Sequence, residues 1–141
     1  MKILRRDDLT GRPTVMFFGS YSCPVFRGML PDMETFYRDY HNRMNIYLVY
    51  MAEAHPNDPV PFPTPNTFES RLAAANAVRS LYGLSMPMLV ESMSNDLNGK
   101  LGGNTLTVLV VNASGTVAYN TNASILGGGF EKLRRAVAKL L

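Results

Sequence analysis

The sequence predicts an α/β fold with a central mixed sheet flanked by helices, and three observations carry that prediction. First, the apolar run Thr14 to Phe18 ends in Gly19-Ser20 and gives way to Cys23-Pro24 and an amphipathic pattern, which reads as strand, tight loop and helix. Second, another apolar run, Asn45 to Ala52, follows that helix and completes a right-handed βαβ unit. Third, an X-Pro bond, Met86-Pro87, stands directly ahead of a short apolar strand, and a hairpin and a closing helix follow.

Composition bounds the rest. A chain of 141 residues with 46% hydrophobic content is expected to be one globular domain over residues 1–141, long enough to bury a real core. Nine methionines suggest an adaptable core or pocket lining. The formal charge of +3 is small, and the basic residues are scattered or lie on one face of the last helix, which argues against nucleic acid as a partner. A single cysteine cannot form an internal disulfide or a Cys-rich metal site, and two histidines separated by a strand lack ligand spacing. No metal and no bound cofactor are therefore expected, and redox chemistry would draw its second thiol from outside. The start, Met-Lys-Ile-Leu-Arg-Arg-Asp-Asp, has no apolar core of a signal peptide, and no run approaches the about 18 residues of a membrane span. The expectation is a soluble cytoplasmic protein without membrane attachment, so the Asn112-Ala-Ser and Asn122-Ala-Ser patterns read as chance.

Taken in order, residues 1–13 are a polar lead-in to the first strand. The helix after Cys23 sets Phe26, Met29, Leu30, Met33, Phe36, Tyr37 and Tyr40 at spacings of three and four, with Pro31 expected to kink it near Arg27 to Leu30. The second strand should lie parallel to the first. In open α/β sheets ligands bind at the carboxyl ends of strands; Cys23 follows one such end, and Glu53 and His55 follow the other. Prolines at 56, 59, 61, 63 and 65 make an extended loop, long enough for a lid or substrate wall. A helix should start with Asn66 as cap and Glu69 three residues on, and run through Leu72, Ala75, Val78 and Tyr82 to Gly83. Asn95 to Asn104 reads as a Gly/Asn-rich loop with at most a helical turn. Thr105 to Val111 and Thr116 to Tyr119 form a hairpin turning at Ala113 to Gly115. The last helix, Phe130 to Leu141, turns Phe130, Leu133, Val137 and Leu140 inward and leaves Lys132, Arg134, Arg135 and Lys139 as a solvated face.

Cys23 is the first candidate for chemistry. A helix N-terminus favours an anion and so the thiolate, and the Ser20 and Ser22 hydroxyls flank the position; the alternative is an inert buried thiol. Glu53 and His55 are two apart and share a face if the strand continues, which would let Glu53 orient an imidazolium that donates a proton. The alternative is a surface histidine in a turn before Pro56. His41 reads as a partner for the C-terminal end of the first helix. Arg27, one turn past Cys23, is either a support for the thiolate or a solvated arginine. Tyr50, judged by its strand alone, is a core residue.

The order of elements is that of a thioredoxin-like fold. A proline eight residues after the cysteine, Pro31 after Cys23, resembles the arrangement of that fold, which implies a cis proline at Met86-Pro87 beside the cysteine. Two segments narrow the resemblance. Phe18-Gly19-Ser20-Tyr21-Ser22-Cys23-Pro24-Val25-Phe26 and Leu48-Val49-Tyr50-Met51-Ala52-Glu53-Ala54-His55-Pro56-Asn57-Asp58 resemble the iodothyronine deiodinase family, which carries selenocysteine at the position of Cys23. Weaker likeness extends over Glu69 to Ala75 and Met86 to Met93, so that roughly residues 12 to 119 are covered. The resemblance implies that Ser20, Ser22, Tyr50, Glu53 and His55 form the polar network around Cys23, and that Arg27, Met86 and Pro87 face the substrate. It also implies a homodimer. The family clamps the iodothyronine between a histidine and an arginine; this chain has Pro65 or Asn66 at the first position and Thr105 at the second.

The functional expectation is a thiol-dependent oxidoreductase of deiodinase type. Cys23 would attack a small-molecule substrate, a halogenated aromatic or a peroxide, and an external thiol such as thioredoxin or glutathione would recycle it. One alternative is a one-cysteine, peroxiredoxin-like peroxidase, since Ser20 stands three residues before Cys23 as the hydroxyl of that family does. The other is a non-catalytic binding module that uses the Pro56 to Pro65 pocket.

Overall fold

The computed structural model describes residues 4–96 and 105–141. In chain order the strands are β1 (Thr14–Gly19), β2 (Asn45–Tyr50), β3 (Met88–Val90), β4 (Thr107–Val111) and β5 (Val117–Asn122), and the helices are α1 (Pro24–Tyr40), α2 (Phe68–Tyr82) and α3 (Glu131–Ala138). The strands form one five-stranded sheet in the order β3-β2-β1-β4-β5. β1 pairs parallel with β2 and β2 parallel with β3, whereas β4 runs antiparallel to β1 and to β5. This is the mixed sheet expected from the βαβ unit and the hairpin.

Strand alternation divides the core. Val15 and Phe17 of β1, Ile46, Leu48 and Tyr50 of β2 and Val108 and Val110 of β4 join the apolar sides of all three helices in one cluster. Met16, Phe18, Val49, Met51, Leu109 and Val111 form a second cluster, against which Leu4, Leu9 and Leu89 pack. Phe17 is held between Phe36 and Phe130, with ring centroids 5.8 and 5.7 Å away. Gly19 must be glycine because an added Cβ would lie 2.0 Å from the ring of the fully buried Phe26. Among the described residues no helix is long and apolar enough to cross a membrane.

Several expectations need correction. No peptide bond among the described residues is cis, so Met86-Pro87 is trans; the Pro87 carbonyl accepts the Leu48 N–H at 3.0 Å, and β3 pairs with β2 straight from that bond. The cap of α2 is Thr67, not Asn66: the Thr67 hydroxyl accepts the Ser70 N–H at 3.1 Å, and the Ser70 hydroxyl accepts the Thr67 N–H at 3.0 Å. Phe130 lies outside α3: it is the buried residue just ahead of it, with a left-handed backbone (φ 59°), and α3 begins at Glu131. Arg134 does not belong to a solvated face; it bonds Asp39 and the Gly129 carbonyl, both at 2.7 Å, and lies over the Phe36 and Tyr40 rings. Most of the Asn95 to Asn104 loop lies outside the described residues.

Candidate active site

Two loops leave the sheet side by side because β1 and β2 are parallel and in register to their last pair, Gly19 with Tyr50. The Met51 N–H continues the ladder by one bond, to the Gly19 carbonyl at 3.0 Å. The first loop turns tightly, with the Cys23 N–H on the Ser20 carbonyl at 3.3 Å, and delivers Cys23 as the N-cap residue of α1 with Pro24 at the first helical position. Its carbonyl already accepts the Arg27 N–H at 3.1 Å, while its side chain makes no capping bond. Cys23 is 6% exposed and belongs to the same cluster as Phe26, Tyr50 and Met86.

Buried polar groups need partners, and these two loops supply each other's. The Ser20 hydroxyl accepts the Ala54 N–H and the Ser22 hydroxyl accepts the His55 N–H, each at 3.0 Å. In return the Ser22 N–H donates to Glu53 Oε2 at 3.0 Å. The Tyr50 hydroxyl donates to Glu53 Oε1 and accepts the Tyr21 N–H at 3.2 Å. Ser20, Ser22 and Tyr50 are all buried. Burial first, then the bond to Glu53 and its charge, pushes the Tyr50 phenol well above its ordinary value, so it stays a donor and Glu53 an acceptor.

The sequence-derived candidates divide accordingly. Ser20, Ser22, Tyr50 and Glu53 meet in one network that borders Cys23. Glu53 and His55 do not share a strand face: β2 ends at Tyr50, so its alternation stops before either residue, and the two Glu53 oxygens serve Ser22 and Tyr50 instead. His55 is exposed and held through its backbone N–H. Arg27 turns to Tyr21, bonding its carbonyl and lying 4.8 Å from the centre of its ring. Met86 and Pro87 do not join the site: β3 runs parallel to β2 with Met88 level with Leu48 and Phe17, so the Met86-Pro87 turn lies toward the starts of β1 and β2, at the opposite end of the sheet from Cys23, with Met86 buried there and Pro87 exposed. The proline-rich loop reaches the site through Phe62, whose ring packs edge-on against Tyr21 at 5.3 Å. Thr105 packs on the sheet side, its hydroxyl 4.0 Å from the Met51 sulfur.

Sequence reasoning passed over two buried charged residues, Arg71 near the site and Glu34 at the other end of the sheet. Arg71 is 4% exposed and bonds the carbonyls of Glu91 and Ser92 at 3.0 and 2.8 Å and the Asn95 side chain at 3.1 Å. Since the Glu91 N–H bonds the Tyr50 carbonyl at 2.9 Å, Arg71 braces β2 from behind. The available signal was an arginine on the inward stripe of α2, with Ala74, Ala75 and Val78. Glu34, buried in α1, grips the turn before Met86 and gave no comparable signal. Among the described residues no three His, Cys, Asp or Glu side chains converge to hold a metal ion.

Comparison with known proteins bears on the family and the fold. Over 101 residues the chain is 31% identical to the type II iodothyronine deiodinase of Aquarana catesbeiana, covering 64% of this chain and 38% of that protein. It is 25% identical over 115 residues to the thyroxine 5-deiodinase of Sus scrofa, covering 77% and 37%. The match thus spans well under half the length of these curated relatives. Among solved structures, a thioredoxin-like protein in its oxidized form superposes with a TM-score of 0.71 at 18% identity, over 99% of this chain and 84% of that one. A thioredoxin-like protein from Aeropyrum pernix gives 0.70 at 13% identity, over 98% and 83%. The fold is therefore thioredoxin-like. The iodothyronine deiodinase sequence model matches residues 7–140, nearly the whole chain, and on that match the chain belongs to the iodothyronine deiodinase family.

Proposed function

We propose that this protein is a thiol-dependent oxidoreductase that removes halogen from a halogenated aromatic, with Cys23 as nucleophile. The observation that carries the reading is the pair of loops stitched together by Ser20, Ser22, Tyr50 and Glu53 around a cysteine at the N-cap of α1. Such an end presents first-turn N–H groups and the positive pole of the helix, a favourable setting for an attacking anion. In the proposed reaction the Cys23 thiolate attacks iodine. The carbon–iodine bond breaks, a sulfur–iodine bond forms, and the ring carbon keeps the electron pair and takes a proton. His55, tied by its backbone to Ser22 next to Cys23, is the proposed donor of that proton. One external thiol then displaces iodide to give a mixed disulfide, and a second frees Cys23. In sum two thiols become a disulfide, the carbon–iodine bond becomes carbon–hydrogen, and one equivalent of hydrogen iodide is released.

With Pro65 or Asn66 and Thr105 at the positions of the family's clamp, the substrate is proposed only as a halogenated phenol. The proposed reductant is a thiol such as glutathione or thioredoxin. The test is iodide release from an iodinated phenol in the presence of dithiol, with mass spectrometry of Cys23. Cys23→Ser should abolish release, and His55→Ala should slow it and change its pH profile. Turnover unchanged in Cys23→Ser overturns the reading. Hydrogen peroxide consumption without iodide release would replace it with the peroxidase alternative.

A further inference from the structure

Arg27 carries its charge where a helix least favours one. It lies in the opening residues of α1, whose first turn holds no acidic side chain, so it adds to the positive pole of the helix instead of offsetting it. Its backbone N–H bonds the Cys23 carbonyl at 3.1 Å, and its side chain runs back over the loop that carries Cys23. There Nη1 donates to the Tyr21 carbonyl, and the guanidinium carbon lies 4.8 Å from the centre of the Tyr21 ring. Among the described residues Nε and Nη2 have no hydrogen-bond partner, and no carboxylate stands within ion-pair distance of Arg27. Glu53, the acid of the adjoining network, has both oxygens committed to Ser22 and Tyr50.

Tyr21 is fixed as firmly. The Tyr50 hydroxyl holds its N–H at 3.2 Å, and the Phe62 ring meets its edge at 5.3 Å. Arg27, Tyr21 and Phe62 are all half-buried, so the row keeps an accessible side. It sets a held cation with open donors next to two aromatic rings, in the loop of the nucleophile. A guanidinium with free N–H groups suits an anionic oxygen, and aromatic edges and faces suit another aromatic ring. We propose that Arg27, Tyr21 and Phe62 form the subsite that selects the substrate: the rings take its aromatic ring, and Arg27 takes an anionic oxygen carried on that ring, as phenolate or carboxylate. Turnover of such a substrate rests on Cys23 being the nucleophile; its binding does not.

Equilibrium binding of halogen-free analogues, followed by NMR shifts, tests this without turnover. Wild type should bind para-methylphenylacetate about tenfold tighter than its neutral amide, or para-nitrophenolate about tenfold tighter than para-nitroanisole, and the pair that shows the preference tells carboxylate from phenolate. Arg27→Met, which keeps the length of the side chain, should abolish the preference, and Arg27→Lys should keep part of it; Arg27→Gln decides the matter if Arg27→Met does not fold. Phe62→Leu should weaken charged and neutral analogues alike, by several-fold. No preference in wild type, or one that survives Arg27→Met, overturns the proposal. So does an Arg27→Met variant in which the preference stands while alkylation of Cys23 by iodoacetamide shifts to higher pH, since Arg27 would then serve the thiolate. An Arg27-dependent preference in a protein that releases no iodide from iodinated aromatics supports the subsite and defeats the proposed function instead.

Discussion

Tyr50→Phe removes one oxygen from a side chain with no solvent exposure, and that oxygen links three segments. The ring stays, so the apolar packing of the cluster is preserved and the loss is confined to hydrogen bonds. The bond to the ionised Glu53 is of the kind that contributes about 1.5–3 kcal/mol, and leaving the Tyr21 N–H without its acceptor costs about 1–3 kcal/mol. Because both bonds share one atom they do not add fully, and a total of about 2–4 kcal/mol is expected. That is a large part of the about 5–15 kcal/mol by which domains are stable. Urea unfolding should show a lower midpoint at unchanged slope. The pH dependence adds a second check. The Tyr50 value is raised above 10.0 in the folded state, by burial first and Glu53 second. Its contribution is therefore complete below about pH 10 and is lost as the pH rises further, when the unfolded chain ionises and the folded one does not. The gap between wild type and Tyr50→Phe should narrow above about pH 10. A difference under about 0.5 kcal/mol at neutral pH, measured against that range, would refute the account of the network.

Gly19→Ala should cost about 1–3 kcal/mol in the same unfolding experiment, since its Cβ would lie 2.0 Å from a Phe26 ring that is buried and cannot swing away; an equally stable variant would show that the strand end gives more easily than its packing indicates. For Glu34, burial raises the value and the bonds from Ser85 and Met86 outweigh it, so the stabilisation is present above its unfolded value near 4.5 and is lost as the pH falls through the lower folded one. Acid titration of stability below about pH 4.5 should therefore be steeper in wild type than in Glu34→Gln, and parallel curves would remove Glu34 from the acid response.

What could be read from the sequence follows from how local each signal is. The runs Val15 to Phe18 and Ile46 to Tyr50 gave two strands, and their parallel pairing followed from the helix between them. Cys23 at a helix start was legible from Gly19 to Pro24 alone. The union of Ser20, Ser22, Tyr50 and Glu53 was implied by family resemblance, because its bonds cross separations of 29 to 34 residues that no periodicity reports. Glu34 was illegible for the same reason: an acid four residues before Arg38 looks like an ordinary helix-surface pair, and its true partners are 51 and 52 residues away. The expectation that Glu53 and His55 share a strand face failed because it extended the strand period past Tyr50, where the chain turns to collect the bonds of the first loop.

The matched ends of β1 and β2 have a consequence for folding. A slip of one residue along the strands displaces one loop against the other by about 3.3 Å, more than the tolerance of a hydrogen bond. Every donor between the loops would then miss its acceptor, from Ser22 with Glu53 to His55 with Ser22. The loop pair therefore proofreads the sheet: a misaligned chain cannot assemble the surroundings of Cys23, and a chain that has assembled them has its first two strands correctly aligned.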